Sequence, residues 1–167
     1  LRDQAQDTRC QSNFPNTLET TTKNILENIN RINTINMVDR VEIDGNVCKI
    51  YIFTKPILCV HPITQKIHEL GQYKIEIDGE CKDFGIRWFN LTRTVNTPQQ
   101  GMQAPNVNPD GSGCSLNDFL TIIPELIGRN DFFTLTMIAI EYLQRIREGD
   151  NSTIKNLLAW PIQEKIA

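Results

Sequence analysis

The sequence predicts a mainly β chain, a β-sandwich of two sheets with a few short helices and long loops. Three observations lead there. Alternating apolar runs meet an Asp-Gly turn signal twice, in "VEIDGNVCKIYIF" from Val41 and "IEIDGECKDFGIRWF" from Ile75. Further β-branched runs are punctuated by Gly and Pro, and long helical periodicity is scarce. With 167 residues, folding of a single domain buries roughly 70% of the surface that the unfolded chain exposes.

Residues 1–17 read as a polar linker from an upstream module, because they lack a periodic apolar face and end in Phe-Pro-Asn. Residues 18–167 then form a single domain. Ile25, Ile29 and Ile32, with Leu26 beside them, recur at helical spacing, which predicts a helix over residues 21–33 capped by a threonine. From Met37 the period changes to two. A two-residue turn at Asp44-Gly45 sets Val41 opposite Cys48 and Ile43 opposite Asn46, with Arg40, Glu42, Lys49 and Tyr51 on the other face. Such a turn needs positive φ at both central positions, which gives Gly45 and Gly79 a structural role. In the second unit the cysteine arrives one residue sooner after the glycine. This puts Cys81 opposite Glu76 and calls for a bulge or a longer loop.

Strands are predicted over residues 57–60 and through "GIRWFNLTRTV", the latter carrying Asn90 near its solvent face. Residues 96–113 contain Pro and Gly turns without periodicity, and so long a loop is functional or disordered as a rule. "SLNDFLTIIPELI" predicts a short helix capped by Ser115 and stopped near Pro124. "DFFTLTMIAIEYLQRI" opens like a strand through its aromatic and β-branched content, although its length also permits a helix. "NSTIKNLLAWPI" closes the chain with a helical turn capped by Ser152.

A net charge of −3 and scattered Lys and Arg argue against a nucleic-acid partner. No apolar run reaches the length of about 18 residues that a membrane span needs, so no membrane insertion is expected. The search for chemistry finds little. Residues 106–117 resemble a calcium loop at Asn106, Asn108, Asp110 and Gly111, but the last ligand position holds Asn117 rather than a glutamate and Pro109 interrupts the run. Gly111-Ser112-Gly113 is not a nucleophile elbow. His61 and His68 lack companions at metal-ligand spacing. No enzyme, metal or cofactor is expected.

Five cysteines, Cys10, Cys48, Cys59, Cys81 and Cys114, are too far apart in sequence for CxxC motifs. Together with the sequons at Asn90 and Asn151 they suggest a secreted glycoprotein. Two disulfides are expected within Cys48, Cys59, Cys81 and Cys114, leaving Cys10 over.

"FPNTLETTTKNILENINRINTINMVDRVEIDGNVCKIYIF" and the closing "STIKNLLAWPIQEK" resemble the SECRET domain, the C-terminal extension of poxvirus secreted tumour-necrosis-factor receptor homologues of the cytokine response modifier family. The resemblance spans nearly the whole chain. It implies a sandwich similar to poxvirus secreted chemokine-binding proteins, receptor modules upstream, and an extracellular viral decoy that sequesters host chemokines in immune evasion. The alternative is a structural or cell-surface attachment appendage that binds no cytokine. Chemokines are basic, so a decoy presents carboxylates around an apolar patch. The candidate set is Glu42, Asp44, Glu76, Asp78, Glu80 and Asp83, with Tyr51 and Phe53 as anchors. The long loop offers Asp110 as its only acid.

Overall fold

The computed structural model describes residues 14–95, 101–114, 119, 121–147 and 149–164. Among these residues, six strands lie in two antiparallel sheets, accompanied by four helices, in agreement with the mainly β class. In chain order the elements are α1 (Phe14–Ile32), β1 (Val38–Asp44), β2 (Lys49–Thr54), β3 (Ile57–Val60), β4 (Ile67–Gly71), β5 (Tyr73–Asp78), β6 (Ile86–Asn90), α2 (Ile122–Gly128), α3 (Phe132–Gln144) and α4 (Asn151–Leu157). The larger sheet runs β1-β2-β5-β6 and the smaller pairs β3 with β4.

The larger sheet is two-faced because its strands alternate. Ile50, Ile52, Ile75, Ile77, Ile86 and Trp88 point inward and are buried, while the residues between them face outward. Helix α3 covers the inner face. The Trp88 indole donates from Nε1 to the Ala139 carbonyl at 3.1 Å and stacks on Tyr142 with ring centroids 4.8 Å apart, so this large core side chain is both packed and hydrogen-bonded. Helix α1 lies against α3, where Asn28 Oδ1 accepts the Phe133 N–H at 3.0 Å and the Arg31 guanidinium sits 4.0 Å over the Phe133 ring. The segment after α4 continues the smaller sheet: the Glu69 N–H donates to the Pro161 carbonyl and the Gln163 N–H to the Ile67 carbonyl, both at 2.8 Å.

Several sequence expectations are corrected. Helix α1 begins at Phe14, inside the stretch read as linker and ahead of the predicted threonine cap. Residues 132–144 are helical throughout, because Phe132, Leu135, Thr136, Ala139, Ile140 and Leu143 all fall on one buried stripe at three- and four-residue steps. Pro124 does not stop α2. It occupies the first turn, where a missing N–H costs nothing, and the predicted cap Ser115 lies outside the described residues. Helix α4 is capped by Asp150 rather than Ser152, the Asp150 carboxylate accepting the Thr153 N–H at 3.1 Å and its hydroxyl at 2.7 Å.

Both hairpin registers differ from the two-residue turn. Val41 pairs with Ile52 and Asp44 with Lys49, so residues 45–48 form the first loop; the last β5–β6 pair is Ile77 with Ile86, so residues 78–85 connect these two strands, and Cys81 is not opposite Glu76. The longer loop was one of the two repairs expected. Each register moves by an even number of residues, and an even shift leaves every side chain on its predicted face. Neither Gly45 nor Gly79 has positive φ; Cys48 and Cys81 do, at 52° and 59°.

The stretch after β6 is not an open loop where it is described. Met102, Ala104 and Val107 are fully buried, and the Trp88 N–H donates to the Gly111 carbonyl at 2.9 Å, which covers the free edge of β6. Buried apolar side chains give this segment a structural reason for its order. No described cysteine is bridged: Cys48, Cys59, Cys81 and Cys114 are free thiols, and Cys10 lies outside the described residues.

Candidate protein-binding face of the sheet

The outward residues of the larger sheet form registered rows across the strands. One row runs Glu42, Tyr51, Glu76 and Arg87; the next runs Arg40, Phe53, Lys74 and Phe89; Asp44, Lys49 and Asp78 close the turn end. Three aromatic rings therefore share one sheet face with cations placed over them. Arg40 stands 3.8 Å from the Phe53 ring centroid, and Lys74 lies 5.5 Å from Tyr51 and 5.1 Å from Phe89. Each such contact contributes roughly 0.5–1 kcal/mol where solvent reaches it. The rings are half-buried, held by neighbours on the face rather than by the core.

The acids of this face have unequal roles. Lys49 Nζ meets Glu76 Oε1 at 2.6 Å, and that bond is the main reason the Lys49 pKa is raised above its usual value. Glu42 takes the Arg40 Nε–H at 3.2 Å, Glu80 pairs with Lys82 at 2.7 Å, and Asp83 with Arg87 at 3.1 Å. Asp78 is 8% exposed and its Oδ1 accepts the Glu80 N–H at 2.8 Å, so it is a turn-forming residue and cannot present its carboxylate to a partner. Asp44 does the same for the Asn46 N–H at 3.0 Å, at a more open position.

The structure thus brings Glu42, Tyr51, Phe53 and Glu76 together as the sequence proposed. It withdraws Asp78 into the fold. The sequence reading, which had set Arg40 on this face, missed Lys74, Arg87 and Phe89 as further members of it, although the alternation of "IRWFN" in β6, with Ile86 and Trp88 inward, places Arg87 and Phe89 outward. The expected carboxylate patch is a mosaic of both signs around aromatic rings.

The two histidines are held inside the fold. His61 Nδ1 accepts the N–H groups of Ile63 and Thr64, each at 3.1 Å, and His68 Nδ1 donates to the Trp160 carbonyl at 2.8 Å; both rings are buried. Burial pushes the Cys59 thiol up to about 12, which leaves it without a thiolate near neutral pH. No group of three or more metal-ligating side chains occurs among the described residues, and none of their helices is long and apolar enough to cross a membrane. Asn90 is half-buried rather than solvent-facing: Nδ2 is directed at the Leu70 carbonyl at 2.7 Å, the Tyr73 hydroxyl at 3.1 Å and the Gln103 carbonyl at 3.2 Å. A glycan on that nitrogen displaces at least one of these bonds. Asn151 is exposed at the start of α4.

These features define an antiparallel sheet with helices on its inner face and an aromatic, charge-lined outer face. Comparison with protein-family models, with curated proteins and with solved structures finds no match to this chain.

Proposed function

We propose that the chain is a secreted, non-enzymatic viral decoy module that binds host chemokines on the outer face of its four-stranded sheet. The reading rests on the resemblance to SECRET domains and, with it, includes a sandwich-like arrangement of the two sheets and receptor modules upstream. The observation that carries it is the cluster of Tyr51, Phe53 and Phe89 in two adjacent rows, aromatic anchors outside the core with charged groups on every side. Interfaces draw most of their affinity from a few such residues, while the surrounding charges govern encounter. Exposed pairs such as Arg40–Glu42 contribute about 0–1 kcal/mol, and the Lys82–Glu80 pair, also exposed, is screened by solvent. Exchanging an internal cation for one on a basic ligand therefore costs the fold little.

Surface plasmon resonance against a chemokine panel tests the reading. Phe53→Ala combined with Tyr51→Ala is expected to weaken binding at least tenfold, mainly through faster dissociation. Glu42→Lys with Glu80→Lys is expected to slow association several-fold and to flatten its salt dependence. Failure of the unaltered domain to bind any chemokine favours the attachment appendage instead. Binding that survives both pairs of substitutions moves the contact off this face.

A further inference from the structure

On the other side of the sheet, the C-terminal end of α3 and the start of α4 border a cleft of about 290 Å³, near the lower end of small-ligand sites, which run roughly 300–1,000 Å³. Its walls include Phe119, Ile138, Tyr142 and Ile146. Phe119 meets Tyr142 edge-on at 6.0 Å, and Tyr142 in turn stacks on Trp88, so one wall is the end of an aromatic ladder anchored in the core.

Asn106 also lines this cleft. The residue is 6% exposed, yet its Oδ1 finds no donor among the described residues. The orientation of the amide is fixed by its other end, because Nδ2 donates to the Tyr142 carbonyl at 2.7 Å and a flipped amide would set two acceptors against each other. Tyr142 locks the pair further, its hydroxyl donating to the Asn106 carbonyl at 2.8 Å. A buried acceptor held this rigidly is costly unless a donor reaches it.

The charged groups at the cleft are engaged within the protein. Glu141 pairs with Arg145 at 3.0 Å, and both Asp150 oxygens accept from Thr153 at the cap of α4. What the cleft offers a ligand is an apolar, partly aromatic surface and one neutral acceptor. We infer that it binds a small neutral aromatic molecule carrying a single N–H or O–H, the ring lying along Phe119 and Tyr142 and the donor reaching Asn106 Oδ1. This inference does not depend on chemokine binding, which uses the opposite face.

Indole and 1-methylindole differ in that donor and are the probes. In ¹H–¹⁵N NMR titrations of the whole chain, indole is expected to shift resonances around Tyr142 and Ile146 saturably, and 1-methylindole to bind about tenfold more weakly, since it leaves the acceptor unpaired. Asn106→Leu is expected to erase the preference, and Ile146→Trp, which fills the cleft, to abolish binding of both probes. Should Asn106→Leu fail to fold, the two probes on the unaltered chain and Ile146→Trp still decide the matter. Equal affinity for the two indoles overturns the inference, as does the absence of a saturable shift up to their solubility limits, or binding that persists in Ile146→Trp.

Discussion

The two Asp-Gly turns look like copies in sequence and share a mechanism other than the one their sequence suggests. In each, the aspartate side chain accepts the N–H two residues ahead, Asp44 from Asn46 and Asp78 from Glu80. In each, the following cysteine rather than the glycine takes the left-handed conformation. They differ in setting. The first turn projects into solvent, with nothing within 4 Å of a Cβ built on Gly45; at Gly79 the same Cβ would stand 2.9 Å from the Cys48 carbonyl oxygen. Identical local chemistry is thus dispensable in one place and fixed by tertiary contact in the other, because the second turn packs against the first.

The largest expected effect comes from breaking that contact. Gly79→Val drives a branched side chain into the Cys48 backbone and disturbs the 2.7 Å bond from the Gly79 N–H to the Cys48 carbonyl. A loss of about 2–3 kcal/mol is expected, as for overpacking elsewhere, readable as a lowered midpoint in urea denaturation with little change in slope. An unchanged midpoint would show that the two turns do not support each other.

Asp78→Ala comes next. It leaves the Glu80 N–H without its acceptor beside a buried position, at a cost of about 1–2 kcal/mol. Asp44→Ala exposes its orphaned N–H to water and should cost less than half as much. Equal losses in the two variants would contradict a role for burial.

Much of the outer face was legible in the sequence because strand alternation survives an error of register, provided the error is even. Arg40, Glu42, Lys49 and Tyr51 were set on one face on that basis, and the observed register keeps them there. β3 was likewise bounded at Ile57 and Val60 by its run of apolar residues and the following His61-Pro62. Other features were legible but overlooked. Asp131 and Asp150 each precede a threonine by three residues and cap α3 and α4 in the same way, their carboxylates taking both the N–H and the hydroxyl of that threonine. That signal, read first, makes residues 132–144 a helix. What no local pattern carries is the burial of Met102, Ala104 and Val107, since it arises from contacts with elements distant in sequence. The fate of the thiols is non-local too: burial of Cys59 in the core is set by tertiary packing, and spacing alone does not bring two sulfurs together.

A smaller effect, of opposite sign, tests the left-handed cysteines. Cys48 is exposed at φ 52°, where a side chain costs about 1–2 kcal/mol. Glycine removes that strain but adds unfolded-state freedom worth roughly 0.5–1 kcal/mol. Cys48→Gly should therefore stabilise the domain by about 0.5–1 kcal/mol in thermal denaturation. At Cys81, φ 59°, the side chain packs against the core, so Cys81→Gly trades relief of strain for lost burial and its benefit should be smaller.

The smallest effect is expected at the glycine that the sequence made most conspicuous. A two-residue turn demands positive φ at Gly45, and under that reading valine there costs on the order of 1–3 kcal/mol. The observed backbone has no positive φ at this position and leaves open space around it. Valine meets no clash, and by restricting the unfolded chain it offsets the residual turn preference for glycine. Gly45→Val should change stability by less than about 0.5 kcal/mol, within the usual range of surface substitutions. The measurement is a paired melt with Gly79→Val. A fall of Gly45→Val as large as that of Gly79→Val would restore the two-residue turn and remove the distinction between a turn held by its aspartate and a turn held by its neighbour.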